Sequence, residues 1–172
     1  KENLTETPSE TISQIMASSY QEQDVEGAVT MDITKGKFKP KTKYHVIVVE
    51  DDDEIRNFLI HEMSQIFRVT DFRNGKEAYN KIHSLQPDLI ISDIMMPEMD
   101  GVTLCRKIKS NTAINHIPVI LLTAKSTDRD IADGYDVGAD AYVVKPFNVE
   151  LLTRQALNLI QNRRRMEIKP LE

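Results

Sequence analysis

The sequence predicts an α/β fold: a doubly wound parallel sheet with helices on both faces. Three observations carry this. Short apolar runs and helix-period stretches alternate five times over roughly 120 residues, the (βα) pattern. The runs are nearly continuous rather than alternating in polarity, as strands buried on both faces must be. Short right-handed crossovers then favour winding the helices onto both faces of one open sheet.

The elements follow in order. Val46-Ile47-Val48-Val49 is the first strand, and Ile55, Phe58, Leu59, Met63 and Ile66 recur after it at helical spacing. Arg68-Val69-Thr70 reads as a weak second strand. The Asn74-Gly75 turn leads to a helix marked by Ala78, Ile82 and Leu85. Leu89-Ile90-Ile91 is a buried strand ending at Ser92-Asp93, and Val102, Cys105 and Ile108 stripe the third helix. Pro118 precedes the strand Val119-Ile120-Leu121-Leu122. A polar fourth helix with Ile131 and Tyr135 stops near Gly138. Tyr142-Val143-Val144 is the fifth strand, and Leu151, Leu152, Ala156, Leu159 and Ile160 form the last helix.

Residues 1–43 read differently, as a polar, partly disordered linker. Within it Ile12, Ile15, Met16 and Tyr20 share one face of a short helix, and Val29, Met31 and Ile33 alternate like a strand. The domain then spans 44–165, and 166–172 is a tail toward a missing output domain. Composition fits this division. The 172 residues are 40% hydrophobic and 28% charged, enough for one soluble core. A net charge of −5 gives no general case for nucleic-acid binding. The single cysteine, Cys105, excludes an internal disulfide framework and fits a reducing, cytoplasmic setting; it reads as a small apolar packing residue. No apolar run approaches the roughly 18–20 residues that span a bilayer, and no signal-peptide pattern is present. Since residue 1 is Lys, the chain reads as part of a longer protein that can itself be anchored in the inner membrane.

In a doubly wound sheet the ligand site lies outside the carboxyl ends of the strands. There the sequence places Glu50-Asp51-Asp52-Asp53 after strand one, Asp93 after strand three, Thr123-Ala124 after strand four and Lys145-Pro146-Phe147 after strand five. Converging carboxylates repel one another, and a hard divalent cation relieves that repulsion. Mg²⁺ takes oxygen ligands in an octahedron. A carboxylate can attack phosphorus to form an acyl phosphate, while a cation, a lysine and a hydroxyl stabilise the transferring group. Asp93, Lys145 and Thr123 supply those three chemical types. An acid-rich stretch before a helix also has a bland function, capping, and Asp52 or Asp53 fits it. Arg163-Arg164-Arg165 reads as the solvated end of the last helix rather than a nucleic-acid contact.

The segments Val48-Val49-Glu50-Asp51-Asp52, Ser92-Asp93 through Asp100-Gly101, Leu122-Thr123-Ala124-Lys125 and Tyr142-Val143-Val144-Lys145-Pro146-Phe147 together resemble the response-regulator receiver family. The resemblance covers about residues 44–163. It implies a flavodoxin-like (βα)5 sheet in the order 2-1-3-4-5 and a two-component phosphorelay function. Asp93 is then the phosphoacceptor for a phosphohistidine on a partner kinase. Glu50, Asp51, Asp93 and the Met95 backbone carbonyl hold Mg²⁺. Lys145, followed by a cis bond to Pro146, pairs with the phosphoryl oxygens. Thr123 and Tyr142 switch the surface of helix four, strand five and helix five, which also makes a phosphorylation-linked homodimer an expected partner state. Glu50 stands where many members carry Asp, which favours a water-mediated metal contact.

Within the family, Met95 through Gly101, Cys105-Arg106-Lys107 and His116 through Lys125 are similar to receivers of Bacteroides-type hybrid sensors. In those a histidine kinase, a receiver and a DNA-binding output domain share one chain; a free-standing response regulator is the alternative. A haloacid-dehalogenase-type phosphatase, which also forms an aspartyl phosphate, needs an acid at position 95, where this chain has Met95. A flavin module needs a Gly- and hydroxyl-rich loop after strand one, where four acids stand. A pseudo-receiver would lack a key residue, and none is missing. The chain is thus expected to be a phosphorylated switch rather than an enzyme. It is expected to touch neither nucleic acid nor membrane directly, and kinase activity belongs to the parent.

Overall fold

In the computed structural model the described residues are 40–124 and 136–167. The chain divides into two units, Lys1–Phe38 and Lys39–Glu172, and the described residues belong to the second. The helix and strand expected within 1–33, the fourth helix at Ile131 and Tyr135, and the end of the tail lie outside the described residues.

The strands are β1 (His45–Val49), β2 (Arg68–Phe72), β3 (Leu89–Asp93), β4 (Val119–Thr123) and β5 (Ala141–Val144). The described helices are α1 (Asp53–Met63), α2 (Gly75–Leu85), α3 (Gly101–Ser110) and α4, the C-terminal helix (Val149–Glu167). The five strands form one sheet in the order β2-β1-β3-β4-β5, parallel at every pairing, as the sequence predicts.

Alternation along each strand divides the core in two. Ile47, Val49, Ile90, Val119 and Leu121 face Ala78, Ile82, Leu104, Cys105 and Ile108 of α2 and α3. Val46, Val48, Leu89, Ile91, Ile120 and Leu122 face Leu59 and Met63 of α1 and Leu152, Ala156 and Ile160 of α4. Every residue of β1, β3 and β4 is buried, whereas edge strands β2 and β5 are only partly so. Each fully buried aliphatic side chain stabilises such a core by about 1.5–3 kcal/mol.

Local chemistry sets the helix starts. Asp52, Asn74 and Asp100 each cap a helix by accepting a bond from the backbone N–H three residues on, at 2.9, 2.9 and 2.7 Å. Asp52 is therefore the cap residue, while Asp53 pairs with Arg56.

Several expectations are refined. Strand β2 runs two residues beyond Thr70. Ile66 lies past α1, in the turn where its carbonyl accepts from the Thr42 N–H at 2.9 Å and hydroxyl at 2.6 Å. Lys41 and Thr42, read as leader, thus pair with residues 65 and 66 of the domain. Helix α4 continues through Met166 and Glu167, read as tail. Arg164 is not merely solvated: its guanidinium bonds Asp88 Oδ1 at 2.8 Å and lies 4.7 Å from the Tyr44 ring centroid. Cys105 packs as expected; it is buried, and burial pushes its thiol up to about 11.

Candidate functional site

Strand register builds the site. Val49 pairs with Ser92, so Glu50 stands level with Asp93. Asp93 pairs with Leu122 and Thr123 with Val144, so Thr123 stands one row beyond Asp93 and Lys145 one row beyond Thr123, at the same sheet edge. The Lys145 N–H donates to the Thr123 carbonyl at 2.6 Å, extending the ladder past β5. The Lys145–Pro146 bond is cis, as expected.

The side chains meet. Lys145 Nζ lies 3.1 Å from Asp93 Oδ1 and 3.5 Å from Glu50 Oε2. Carboxylate oxygens of Glu50, Asp51 and Asp93 all lie within 4.8 Å of one another. Glu50 is 1% exposed and Asp93 6%, while Asp51 is exposed. Thr123 is buried. Tyr142 is half-buried and packs against the α2–α3 side of the core. Met95 stands 62% exposed, two residues beyond Asp93. Lys125, two residues beyond Thr123, lies outside the described residues.

Electrostatics follows from this crowding. Burial, then the charge of Asp93, raises the Glu50 carboxyl from 4.5 to about 7, against the pull of Lys145. Burial likewise raises Asp93, with Lys145 opposing it through charge and hydrogen bond. One ammonium therefore serves two buried carboxylates. An octahedron with bonds of about 2.0–2.1 Å spans roughly 4 Å across, and the three oxygens all lie within 4.8 Å of one another. The donors are all hard oxygens, so the set fits a small divalent cation and leaves room for water.

Two residues that sequence reasoning left unexplained shape the site. Gly101 opens α3 against the backbone of Asp93: a Cβ there would meet the Asp93 carbonyl oxygen at 2.1 Å. Only glycine permits this approach, and the Gly101 N–H donates to the Ile94 carbonyl at 2.9 Å. Arg56 is buried at 5% exposure, and its Nη1 donates to the Glu50 carbonyl at 3.0 Å. Its signal was present in the sequence: Arg56 shares the spacing of Leu59 and Met63, an arginine at a core position.

Comparison with known proteins agrees with this geometry. Residues 46–157 match the family model described as the response regulator receiver domain. "Histidine kinase P4" of Formosa agariphila is 39% identical over 129 residues, 75% of this chain and 9% of the kinase. "Probable transcriptional regulator ycf29" of Pyropia yezoensis is 43% identical over 121 residues, 68% of this chain and 53% of the regulator. The chain thus spans only part of the curated relatives it matches. Among solved structures, the signal receiver domain of a signal transduction histidine kinase from Syntrophus aciditrophicus superposes with a TM-score of 0.66. It is 35% identical, with 75% of this chain and 95% of that one covered.

Proposed function

The chain belongs to the response regulator receiver domain family, and from that premise we propose that it takes a phosphoryl group from a phosphohistidine onto Asp93 in a Mg²⁺-dependent reaction. The observation that carries this is Asp93 itself, a buried carboxylate facing Lys145 at 3.1 Å beside the carboxylates of Glu50 and Asp51.

An Asp93 carboxylate oxygen attacks phosphorus as the P–N bond of the donor breaks. The electron pair stays on the imidazole nitrogen, which takes up a proton, and Asp93 becomes an acyl phosphate. Glu50, Asp51, Asp93 and the Met95 carbonyl would hold Mg²⁺, which when bound neutralises charge on the transferring group. Lys145 follows the new negative charge, since the same Nζ already bonds Asp93 Oδ1. Phosphorylation adds about −1.5 to −2 charge, which draws the Thr123 hydroxyl and, with it, Tyr142 inward. The face carrying the fourth helix expected from the sequence, β5 and the last helix, α4, is then the output surface, and it can support a phosphorylation-linked homodimer.

The histidine kinase and output domain are partners in a longer protein, with the residues before Lys41 as the incoming linker, the receiver from Lys41 through Glu167, and the residues after it leading onward. Kinase relatives favour a hybrid sensor; relatives that are transcriptional regulators support a free-standing regulator as the second reading. No helix among the described residues is long and apolar enough to cross a membrane.

The test is labelling with acetyl phosphate, with and without Mg²⁺, read by intact mass. A single phosphoryl adduct is expected only with the cation, and none in Asp93→Asn. Undiminished labelling of that variant sinks the assignment.

A further inference from the structure

We propose that Arg56 is a positioning residue for the acidic cluster: by holding the Glu50 peptide it aims the Glu50 and Asp51 carboxylates at Asp93 and so sets the affinity of the cluster for a divalent cation. This rests on the reading of the cluster as a cation site given above.

Arg56 belongs to the second turn of α1, on its buried face. Its guanidinium joins three pieces of chain. Nη1 donates to the Glu50 carbonyl at 3.0 Å, in the turn that follows β1. Nη2 bonds the Asp53 carboxylate in the first turn of α1. Nε lies 3.2 Å from Asp71 Oδ2, near the end of β2. The guanidinium is a rigid planar fork, so its hydrogen bond to Asp53 and the Asp71 charge beside Nε restrict the direction in which Nη1 points. The Glu50 N–H donates to the Phe72 carbonyl at 3.1 Å. The peptide groups on both sides of Glu50 Cα are thereby tied, one to β2 and one to Arg56. Little freedom is left in where the Glu50 side chain points. Asp51 follows directly from the peptide that Arg56 holds.

The action is geometric rather than electrostatic. The charge of Arg56 is met by Asp53 and Asp71, whereas the Glu50 carboxyl responds to burial, Asp93 and Lys145. Removing Arg56 would leave the buried Glu50 carbonyl without this donor and free the acid turn to shift. Residues that orient metal ligands in this way typically change metal affinity by about 10–100-fold when mutated.

The experiment compares the wild-type chain with Arg56→Ala, Arg56→Lys and the remote control Arg164→Ala. Three quantities are read: Mg²⁺ affinity by titration calorimetry, the Mg²⁺ dependence of acetyl phosphate labelling, and the urea midpoint. Arg56→Ala is expected to raise the half-saturating Mg²⁺ concentration about 10-fold, with the labelling plateau at saturating Mg²⁺ near wild type. Arg56→Lys, which keeps one donor, should fall between. Arg164→Ala removes the ion pair with Asp88 at the opposite end of the sheet and touches neither Arg56 nor Glu50; it should lower the urea midpoint and leave Mg²⁺ affinity near wild type. Unchanged Mg²⁺ affinity in Arg56→Ala overturns the proposal, as does an affinity loss in Arg164→Ala that matches its loss of stability. If Arg56→Ala does not fold, wild-type affinity in Arg56→Lys has the same consequence. Failure of the wild-type chain to bind Mg²⁺ removes the cation-site reading as well; wild-type binding with indifferent Arg56 variants removes this inference alone.

Discussion

Replacing Glu50 with Gln is expected to make the metal-free protein more stable at pH 8 and less able to bind Mg²⁺. The magnitude follows from the site. The Glu50 carboxyl titrates at about 7 in the folded chain against an ordinary 4.5, because burial and Asp93 outweigh Lys145. A folded-state value above the unfolded one means that the folded state binds the proton more tightly. The stabilisation from that proton is complete below pH 4.5 and is lost as pH rises through about 7. At about 1.4 kcal/mol per pH unit, the ionised group costs the metal-free fold up to about 3 kcal/mol at pH 8. That corresponds to a Tm difference on the order of 10 °C for a domain of this size. Glutamine keeps the shape and an acceptor oxygen for the Asp52 N–H, which lies 3.3 Å from Glu50 Oε1, but carries no charge. The assay is thermal unfolding at pH 5 and pH 8, with and without Mg²⁺. The wild type should lose stability between those pH values without Mg²⁺ and regain it with Mg²⁺, since a bound ligand stabilises by mass action. The variant should show a flatter pH response and a smaller Mg²⁺ shift. A variant no more stable than wild type at pH 8 without Mg²⁺, or one that keeps the full pH response, would refute the reasoning.

Other substitutions probe neighbouring features. Met95 is exposed beside Asp93, and its bulk should hinder the water that attacks the acyl phosphate; Met95→Ser should shorten the phosphoryl lifetime, followed by intact mass over time, and a wild-type half-life of seconds contradicts this. Gly101→Ala places a methyl 2.1 Å from the Asp93 carbonyl oxygen, so a loss of about 1–3 kcal/mol or more in urea unfolding is expected, together with slower labelling of Asp93. Arg164→Ala removes the ion pair with Asp88 and the stacking on Tyr44; a loss of about 1 kcal/mol is expected with labelling unchanged, and a labelling defect would show that this end of the domain communicates with the site.

Much of the site was legible because its residues follow buried strands directly. Once Val46–Val49, Leu89–Ile91, Val119–Leu122 and Tyr142–Val144 are read as parallel strands, the residues after them must share one sheet edge. Capping by Asp52 and packing of Cys105 are local effects, and they too were readable. Strand β2 was weaker, since an edge strand with half its surface in water shows no continuous apolar run. Arg164 is exposed, as the sequence suggests, but its contacts with Asp88 and Tyr44 were not readable, because those partners are distant in sequence.

By itself, then, the sequence determined the parallel sheet and the side chains placed at its carboxyl edge, because periodicity and the residues that follow each strand are properties of the chain; the strand order came with the family resemblance. Only the tertiary structure decided how those side chains share charge: a single Lys145 between two buried acids, Glu50 raised to about 7, and Gly101 pressed on the Asp93 backbone. It also placed Arg56 beneath the acid turn. Burial and through-space distance set those properties, and neither is written in the spacing of residues along the chain.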